Sequence, residues 1–417
     1  MEYGLIGKKL GHSFSKEIHE SIGKYPYELI ELDESEFENF ITKKDFKAIN
    51  VTIPYKEKVI PYLDYISSEA KSINAVNVVI NDHGVLKGYN TDYFGFLDLL
   101  RYFEIEVKNK TVLILGTGGT SKTVTEVLND LNASKIYYAS TSKKENTFNY
   151  SDLESIKNEI EIIVNTTPRE MYPNNDQEIL SLDGFDKLES VVDVIYNPLS
   201  TNLILRAEEK KLKCCNGLYM LISQAFYAME LFLNTKFDAK QIEKYYRQLL
   251  KKKRNYVLIG MPTSGKTTIG QLLSKKTHRE FIDTDEEIKK ILGMDISEYF
   301  INHSEEEFRD IESKVIEKYA KMNNLVISTG GGSVLRKNNI KFLKQNGCLF
   351  FLDRNLEKLQ VTSSRPLAKN NSDLANLYSI RHPLYLKAMD YRIDGNKGIG
   401  EIVNTIASID LSKIHKE

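Results

Sequence analysis

The chain has 417 residues, a formal net charge of −1, 41% hydrophobic and 28% charged residues, a globular composition whose length exceeds the roughly 150 residues of one ordinary domain. The near-neutral charge gives no long-range field for nucleic acid or an anionic membrane, and no apolar stretch approaches the roughly 20 residues of a bilayer span or forms a secretory leader. Three cysteines, two of them the neighbours Cys214 and Cys215, are too few for a disulfide framework, and the seven histidines form no zinc-ligand spacing, so a cytoplasmic chain with reduced thiols is expected. From the N-terminus onward, short apolar runs alternate with amphipathic stretches of ten or more residues, the pattern of βα units and parallel sheets. Expected strands are 3–6, 48–52, 76–80, 112–115, 135–138, 162–165, 191–194, 256–259, 325–328 and 348–352. An amphipathic helix is expected over 220–252, ending in the solvated basic run Lys251, Lys252, Lys253 and Arg254. Domain boundaries are expected near 103 and 253, the second with too short a connection to act as a flexible spacer.

Two glycine signatures follow strand-like runs and open helix-compatible stretches. Gly116-Thr117-Gly118-Gly119 after 111–115 suits a dinucleotide pyrophosphate, and Gly260-Met261-Pro262-Thr263-Ser264-Gly265-Lys266-Thr267 after 256–259 is a Walker A loop. In such a loop Lys266 contacts the β- and γ-phosphates and the Thr267 hydroxyl binds Mg²⁺. Two nucleotide-dependent activities are therefore expected, and the two loops are not copies of one motif.

In the first half, His12-Ser13-Phe14-Ser15, Asn50 to Lys56, Asn74 to Asn77, Gly88 to Asp92, Asn165 to Pro168, Asp193 to Pro198 with Thr201, and Gly217 to Gln224 stand in order. With the first glycine loop, this set resembles shikimate dehydrogenase over about 250 residues. The resemblance implies a substrate lobe over 1–103, completed by helix 218–252, and a Rossmann lobe over 104–217, together reducing 3-dehydroshikimate to shikimate. It implies Lys56 and Asp92 as the catalytic pair, with Ser13, Ser15, Thr52, Asn77, Asp92, Tyr196 and Gln224 around the substrate. Proton delivery to the carbonyl oxygen suits a lysine held by a carboxylate. The cofactor would lie against Gly116, Gly118, Gly119, Thr120, Ser140, Thr141, Lys143 and Gly217. The family's arginine after the second Rossmann strand is missing from Ser140-Thr141-Ser142-Lys143-Lys144, and no acid replaces it, so NADP is favoured while NAD stays open. Lys16 and Arg169 are further departures, and Arg169 reaches for cofactor phosphate or faces solvent.

In the second half, Phe281 to Asp285, Phe308 to Glu312, Thr329 to Gly332, Arg365-Pro366-Leu367 and Arg381 to Tyr385 resemble shikimate kinase, over about residues 255 to 410. A P-loop domain with a parallel sheet over 254–417 is implied, transferring the ATP γ-phosphoryl group to shikimate. Gly260, Pro262, Thr263, Ser264, Gly265, Lys266, Thr267, Thr268, Lys358 and Arg365 would hold ATP, with Lys266, Asp285 and Arg365 catalytic. Asp285, Arg309, Gly330, Gly331, Gly332 and Arg381 would bind shikimate, and Thr267 and Asp283 would hold magnesium. Thr263 and Ser304 replace family glycines, and Lys358 stands for an adenine-stacking arginine. The two resemblances join consecutive reactions on the way to chorismate. The alternatives are a chain with only its kinase half active, a non-catalytic regulator sensing pathway intermediates, and use of quinate as an extra substrate. Small molecules are the expected partners, with oligomeric state open.

Overall fold

The computed structural model describes residues 2–11, 14–141, 146–173, 175, 178–359 and 370–412. They fall into two compact units, one of Met1–Arg169, Glu178–Tyr196 and Arg206–Tyr246, the other of Glu170–Gln177, Asn197–Leu205 and Arg247–Glu417. Among the described residues no helix is long and apolar enough to cross a membrane.

The first unit holds two six-stranded sheets. Strands β1 (Tyr3–Gly7), β2 (Glu28–Glu31), β3 (Ala48–Val51), β4 (Tyr65–Ile66), β5 (Val78–Asp82) and β6 (Val85–Tyr89) order as β2-β1-β3-β5-β6-β4. This sheet is mixed rather than purely parallel, because β5 runs antiparallel to both β3 and β6. The reason is local: His83 at φ 52° and Gly84 at φ 93° give both centres of a two-residue turn positive φ, and such a turn reverses the chain into a hairpin. Strand-favouring Val85 to Tyr89 then pairs back on β5, a strand absent from those expected.

Strands β7 (Thr111–Leu115), β8 (Lys135–Ala139), β9 (Thr147–Phe148), β10 (Ile162–Asn165), β11 (Ser190–Asp193) and β12 (Lys213–Cys215) form the second sheet in the order β12-β11-β10-β7-β8-β9. Every pairing is parallel, the doubly wound Rossmann order with its switch point beside β7. The expected single helix over 220–252 is two, Leu218–Leu233 and Ala239–Lys253. Asn234, left-handed at φ 48°, stops the first, and Asp238 starts the second by accepting the Gln241 amide at 2.8 Å while the Gln241 side chain returns the bond, a capping box.

The second unit is built on β13 (Asn255–Ile259), β14 (Glu280–Asp283), β15 (Leu325–Ser328), β16 (Gly347–Asp353) and β17 (Tyr391–Asp394), ordered β14-β15-β13-β16-β17 and wholly parallel. β13 and β16 are almost completely buried, as strands covered on both faces must be. The basic run departs from expectation, since Lys253 and Arg254 are buried. Arg279 closes that helix end instead, donating to the carbonyls of Lys251 at 2.7 Å and of Arg254 while its guanidinium lies 4.7 Å from the Tyr256 ring centroid. A cation from a neighbouring segment thus meets the negative end of the helix.

Candidate active sites

In the first unit the reacting groups converge from three elements. Lys56 lies on the short helix after β3, and its Nζ meets Asp92 Oδ2 at 2.6 Å. Asp92 sits in the first turn of the helix Thr91–Tyr102, whose start is fixed because Asn90 accepts the Tyr93 amide, as an Asn N-cap does. Asn77, buried at the head of β5, accepts the Thr91 amide at 2.7 Å and donates to Thr91 Oγ1 at 3.0 Å. Thr91 Oγ1 also lies 3.5 Å from Gln224 Oε1. The structure therefore brings Lys56, Asp92, Asn77 and Gln224 together through Thr91, a residue that sequence reading passed over as part of a helix cap. Gly95 permits this approach: a Cβ there would stand 2.7 Å from the Met220 carbonyl oxygen and 2.9 Å from Gln224 Cβ.

Thr52 follows β3, half-buried, with its amide on the Ile6 carbonyl at 3.0 Å. Ser15 begins a short helix, and Phe14 beside it packs edge-on against Tyr196, ring centroids 5.9 Å apart. Burial raises the Tyr196 phenol above its ordinary pKa, so this hydroxyl stays a hydrogen-bond donor. Ser13, Lys143 and Arg365 lie outside the described residues.

At the glycine loop, Gly116 takes φ 100° and Gly118 caps the helix Gly119–Asp130, with Thr120 in its first turn. A side chain at 116 would meet Thr167 Cγ2 at 2.8 Å. Gly217 opens the helix that carries Gln224, and a Cβ there would fall 1.9 Å from the Val194 carbonyl oxygen; only glycine lets these backbones touch. Ser140 ends β8 half-buried with its amide on the Phe148 carbonyl, and Thr141 is exposed. Lys122 on the glycine-loop helix pairs with Glu57 at 2.7 Å, which brings that helix beside Lys56.

In the second unit, Gly260 at φ 151° and Gly265 at φ 94° shape the loop between β13 and the helix Lys266–Thr277, and Thr268 lies in that helix. Buried Lys266 donates to the carbonyls of Gly260 and Met261, both at 2.9 Å, so the ammonium is folded into its own loop. Ser264 is buried under it. Thr263 occupies φ 62°, the left-handed region that glycine adopts freely and a β-branched residue does not. The threonine in the family's glycine place is therefore strained. Thr267 Oγ1 donates to Asp283 Oδ2 at 2.7 Å while Asp283 Oδ1 accepts the Asp285 amide at 3.0 Å. A hydroxyl and a carboxylate oxygen beside a phosphate loop are hard donors of the kind Mg²⁺ takes, with phosphates and waters completing the shell. Among the described residues no cluster of three or more His, Cys, Asp or Glu forms an all-protein metal cage.

A cavity of about 300 Å³ opens beside this loop, lined by Asp283, Asp285, Arg309, Gly330 to Gly332 and Arg381 among others. Arg309, 9% exposed, donates to Glu312 at 2.8 Å and Glu305 at 2.9 Å. Burial raises the Glu312 carboxyl, with Asp285 adding to the rise and Arg309 opposing it. Glu312 was quoted in its motif but given no role, although its three-residue spacing from Arg309 puts both on one helix face. A Cβ at Gly331 would lie 2.7 Å from Pro262 Cδ, and one at Gly332 or Gly330 would displace Arg309 Nη2 at 2.2 Å or Asp285 Oδ1 at 2.6 Å. Thr284 Oγ1 accepts the Gly330 amide at 3.0 Å and the Tyr385 hydroxyl donates to the Gly331 carbonyl at 2.5 Å, both missed in the sequence. Lys358 is on the other flank, after β16, where its charge helps hold Asp394 low behind the Asn396 hydrogen bonds.

Ser304, the second replaced glycine, has a structural role. It caps the helix Glu305–Ala320 that carries Arg309, in a capping box with Glu307. Ser304→Ala is expected to cost about 1 kcal/mol and Ser304→Gly only a few tenths, read as the shift in denaturation midpoint; equal effects from both would remove the cap argument.

The fold and sites define a two-lobed, dinucleotide-binding oxidoreductase joined to a P-loop phosphotransferase. Residues 5–79 match the shikimate dehydrogenase substrate binding domain and residues 262–409 match shikimate kinase. A shikimate dehydrogenase (NADP(+)) of Clostridium perfringens is 38% identical over 266 residues, 59% of this chain and 97% of that protein. The crystal structure of a chorismate mutase/shikimate 5-dehydrogenase fusion from Clostridium acetobutylicum superposes with TM-score 0.56 at 35% identity, covering 59% of this chain and 96% of that one. A quinate dehydrogenase from Corynebacterium glutamicum, solved in complex with NAD, gives TM-score 0.54 at 25% identity over 60% of this chain and 99% of its own. The chain belongs to the shikimate dehydrogenase family through its first part and carries a shikimate kinase domain after it.

Proposed function

We propose that this protein catalyses two consecutive reactions, NADP-dependent reduction of 3-dehydroshikimate to shikimate and ATP-dependent phosphorylation of shikimate to shikimate 3-phosphate. The observation that carries the reading is that one chain keeps both sets of reacting groups assembled: Lys56 on Asp92, and Asp285 in the cavity beside the Walker loop. In this reading 1–103 with the helices of 218–252 form the substrate lobe, 104–217 the dinucleotide lobe and 254–417 the kinase.

In the first reaction the bound dinucleotide supplies a hydride. Lys56 gives the proton to the carbonyl oxygen as that oxygen becomes a hydroxyl, and Asp92 holds the ammonium in place. Asn77 and Gln224 bind substrate hydroxyls, and Asn77 also positions Asp92 by fixing the Thr91 backbone. Ser15, Thr52 and Tyr196 complete the polar wall, and Ser13 is assigned to the substrate by the family resemblance alone. In the second reaction Arg309 and Arg381 grip the shikimate carboxylate by charge-assisted bonds. Asp285 accepts from the hydroxyl that attacks phosphorus, Lys266 swings from its loop carbonyls to the phosphates, and Arg365 neutralises the transferring group. Thr267 and Asp283 would hold magnesium, whose charge would offset that of the phosphates.

One assay tests the whole reading: purified chain with 3-dehydroshikimate, ATP and Mg²⁺, run separately with NADPH and NADH while absorbance and shikimate 3-phosphate are followed. Formation of the phosphate only when NADPH is present is the expected result. Phosphorylation of added shikimate without oxidation of either cofactor would leave a kinase alone, and turnover in neither half would favour a sensor.

A further inference from the structure

A dinucleotide with a ribose 2′-phosphate needs a cation beside its adenosine end. Ser140 and Thr141 after β8 carry none, and Lys143 and Lys144, which follow, lie outside the described residues. We propose that Arg169, held against Tyr150, supplies this charge and selects the phosphorylated dinucleotide. This rests on the dehydrogenase reading of the first unit and names a residue, besides Lys143, that sets its cofactor preference.

The placement follows from the sheet. Thr166 leaves β10 with its amide and its hydroxyl both on the Leu115 carbonyl, at 2.9 and 2.8 Å. Thr166 and Thr167 then abut the glycine loop so closely that a Cβ at Gly116 would fall 3.0 Å from Thr166 Oγ1 and 2.8 Å from Thr167 Cγ2. Arg169 follows two residues later, its amide on Thr167 Oγ1 at 3.3 Å. It therefore leaves the carboxyl end of the sheet at the pyrophosphate loop.

Tyr150 comes from the opposite side. It follows β9, the outermost strand, whose Phe148 carbonyl accepts the Ser140 amide at 3.0 Å. Because the local order is β10-β7-β8-β9, a side chain from the end of β10 that reaches a residue beyond β9 must cross the carboxyl ends of β7 and β8. Arg169 does so, its guanidinium carbon 5.6 Å from the Tyr150 ring centroid. That crossing covers the edge on which the adenosine half of a dinucleotide lies in such a sheet, between the glycine loop and the end of the next strand.

The chemistry fits an anion. Arg169 is half-buried, and among the described residues no carboxylate forms an ion pair with it. Among the described residues the Tyr150 ring is its one side-chain contact, which leaves N–H groups for phosphate oxygens, and the tyrosine face holds the cation without neutralising it. Sequence spacing left Arg169 between cofactor phosphate and solvent, because nothing in it brings residue 150 to residue 169.

The test uses the full chain and its Arg169→Ala and Arg169→Lys variants. NADPH and NADH are titrated by their fluorescence, which needs no turnover, and KM is then measured for each cofactor, with kinase rate as the control for folding. Arg169→Ala is expected to weaken NADPH roughly 10- to 100-fold, the size of a charge-assisted phosphate contact. NADH should change less than about twofold, and lysine should restore part of the loss. Unchanged NADPH affinity, or equal losses for both cofactors, would overturn the proposal. If the wild-type chain binds NADPH with this Arg169 dependence yet reduces no 3-dehydroshikimate, the assignment stands and the dehydrogenase reading fails. If it binds neither cofactor, both fall.

Discussion

Lys56→Ala is expected to lower the maximal rate of 3-dehydroshikimate reduction by roughly 10²–10⁴-fold, the usual contribution of a positioned general acid, with a much smaller change in KM. The argument is one of geometry and chemistry together. Hydride arriving at a carbonyl carbon leaves charge on oxygen, and that charge must be met by a proton in the transition state. Lys56 Nζ, at 2.6 Å from Asp92, is the cation placed to give it, whereas Asn77 and Thr91 are occupied with each other. The pair is partly open, at 26% and 18% side-chain exposure, so losing it should cost little stability and the kinase rate of the same preparation should be unchanged. Near-normal turnover with only a raised KM would make Lys56 a binding group and move the proton source elsewhere.

What the sequence made legible were the features whose local physics is self-contained. Both phosphate loops could be read because glycines at 116, 260 and 265 serve positive φ, a demand of the backbone alone. The central strands β7, β10, β13, β15 and β16 could be read because strands buried on both faces must be continuously apolar. The edge strands β2, β14 and β17 could not, since Glu28 to Glu31, Glu280 to Asp283 and Tyr391 to Asp394 mix charge with apolar residues, and an edge tolerates that. The helix break at Asn234 lay hidden because apolar residues continue on both sides of it. Supporting residues were the least legible of all. Thr91, Thr284 and Tyr385 act through Gln224, Gly330 and Gly331, partners 46 to 133 residues away, and no local pattern encodes such a pairing. Arg169 was legible only as reaching for cofactor phosphate or facing solvent, because its contact with Tyr150 depends on the order of four strands.

Arg309→Met is expected to raise the KM for shikimate roughly 10²-fold and to destabilise the kinase domain in a way that depends on pH. The guanidinium is one of three cations lining the cavity, with Arg381 and Lys289, and a charge-assisted contact to a carboxylate accounts for an effect of that size. The stability effect comes from what is left behind. Glu312 is almost fully buried, one of its oxygens bonded to Arg309 and the other without a hydrogen-bond partner. Burial already holds this carboxyl above its ordinary value, Asp285 pushes the same way, and Arg309 and Arg381 pull it down. Methionine fills similar space but withdraws the larger pull, so the folded-state value rises further while the unfolded value stays. A group whose folded value is raised stabilises fully below the unfolded value, and that stabilisation is lost as pH climbs through the folded value. The deficit of the variant should therefore be modest near pH 5 and should grow toward pH 8, where breaking a buried pair costs about 3–5 kcal/mol. Adding Glu312→Gln to Arg309→Met should flatten the slope, because nothing at that place titrates any longer. Chemical denaturation of the two variants and the parent at four pH values decides the matter: a deficit equal at pH 5 and pH 8 would mean that Arg309 acts on stability by packing alone and not by holding the charge of Glu312.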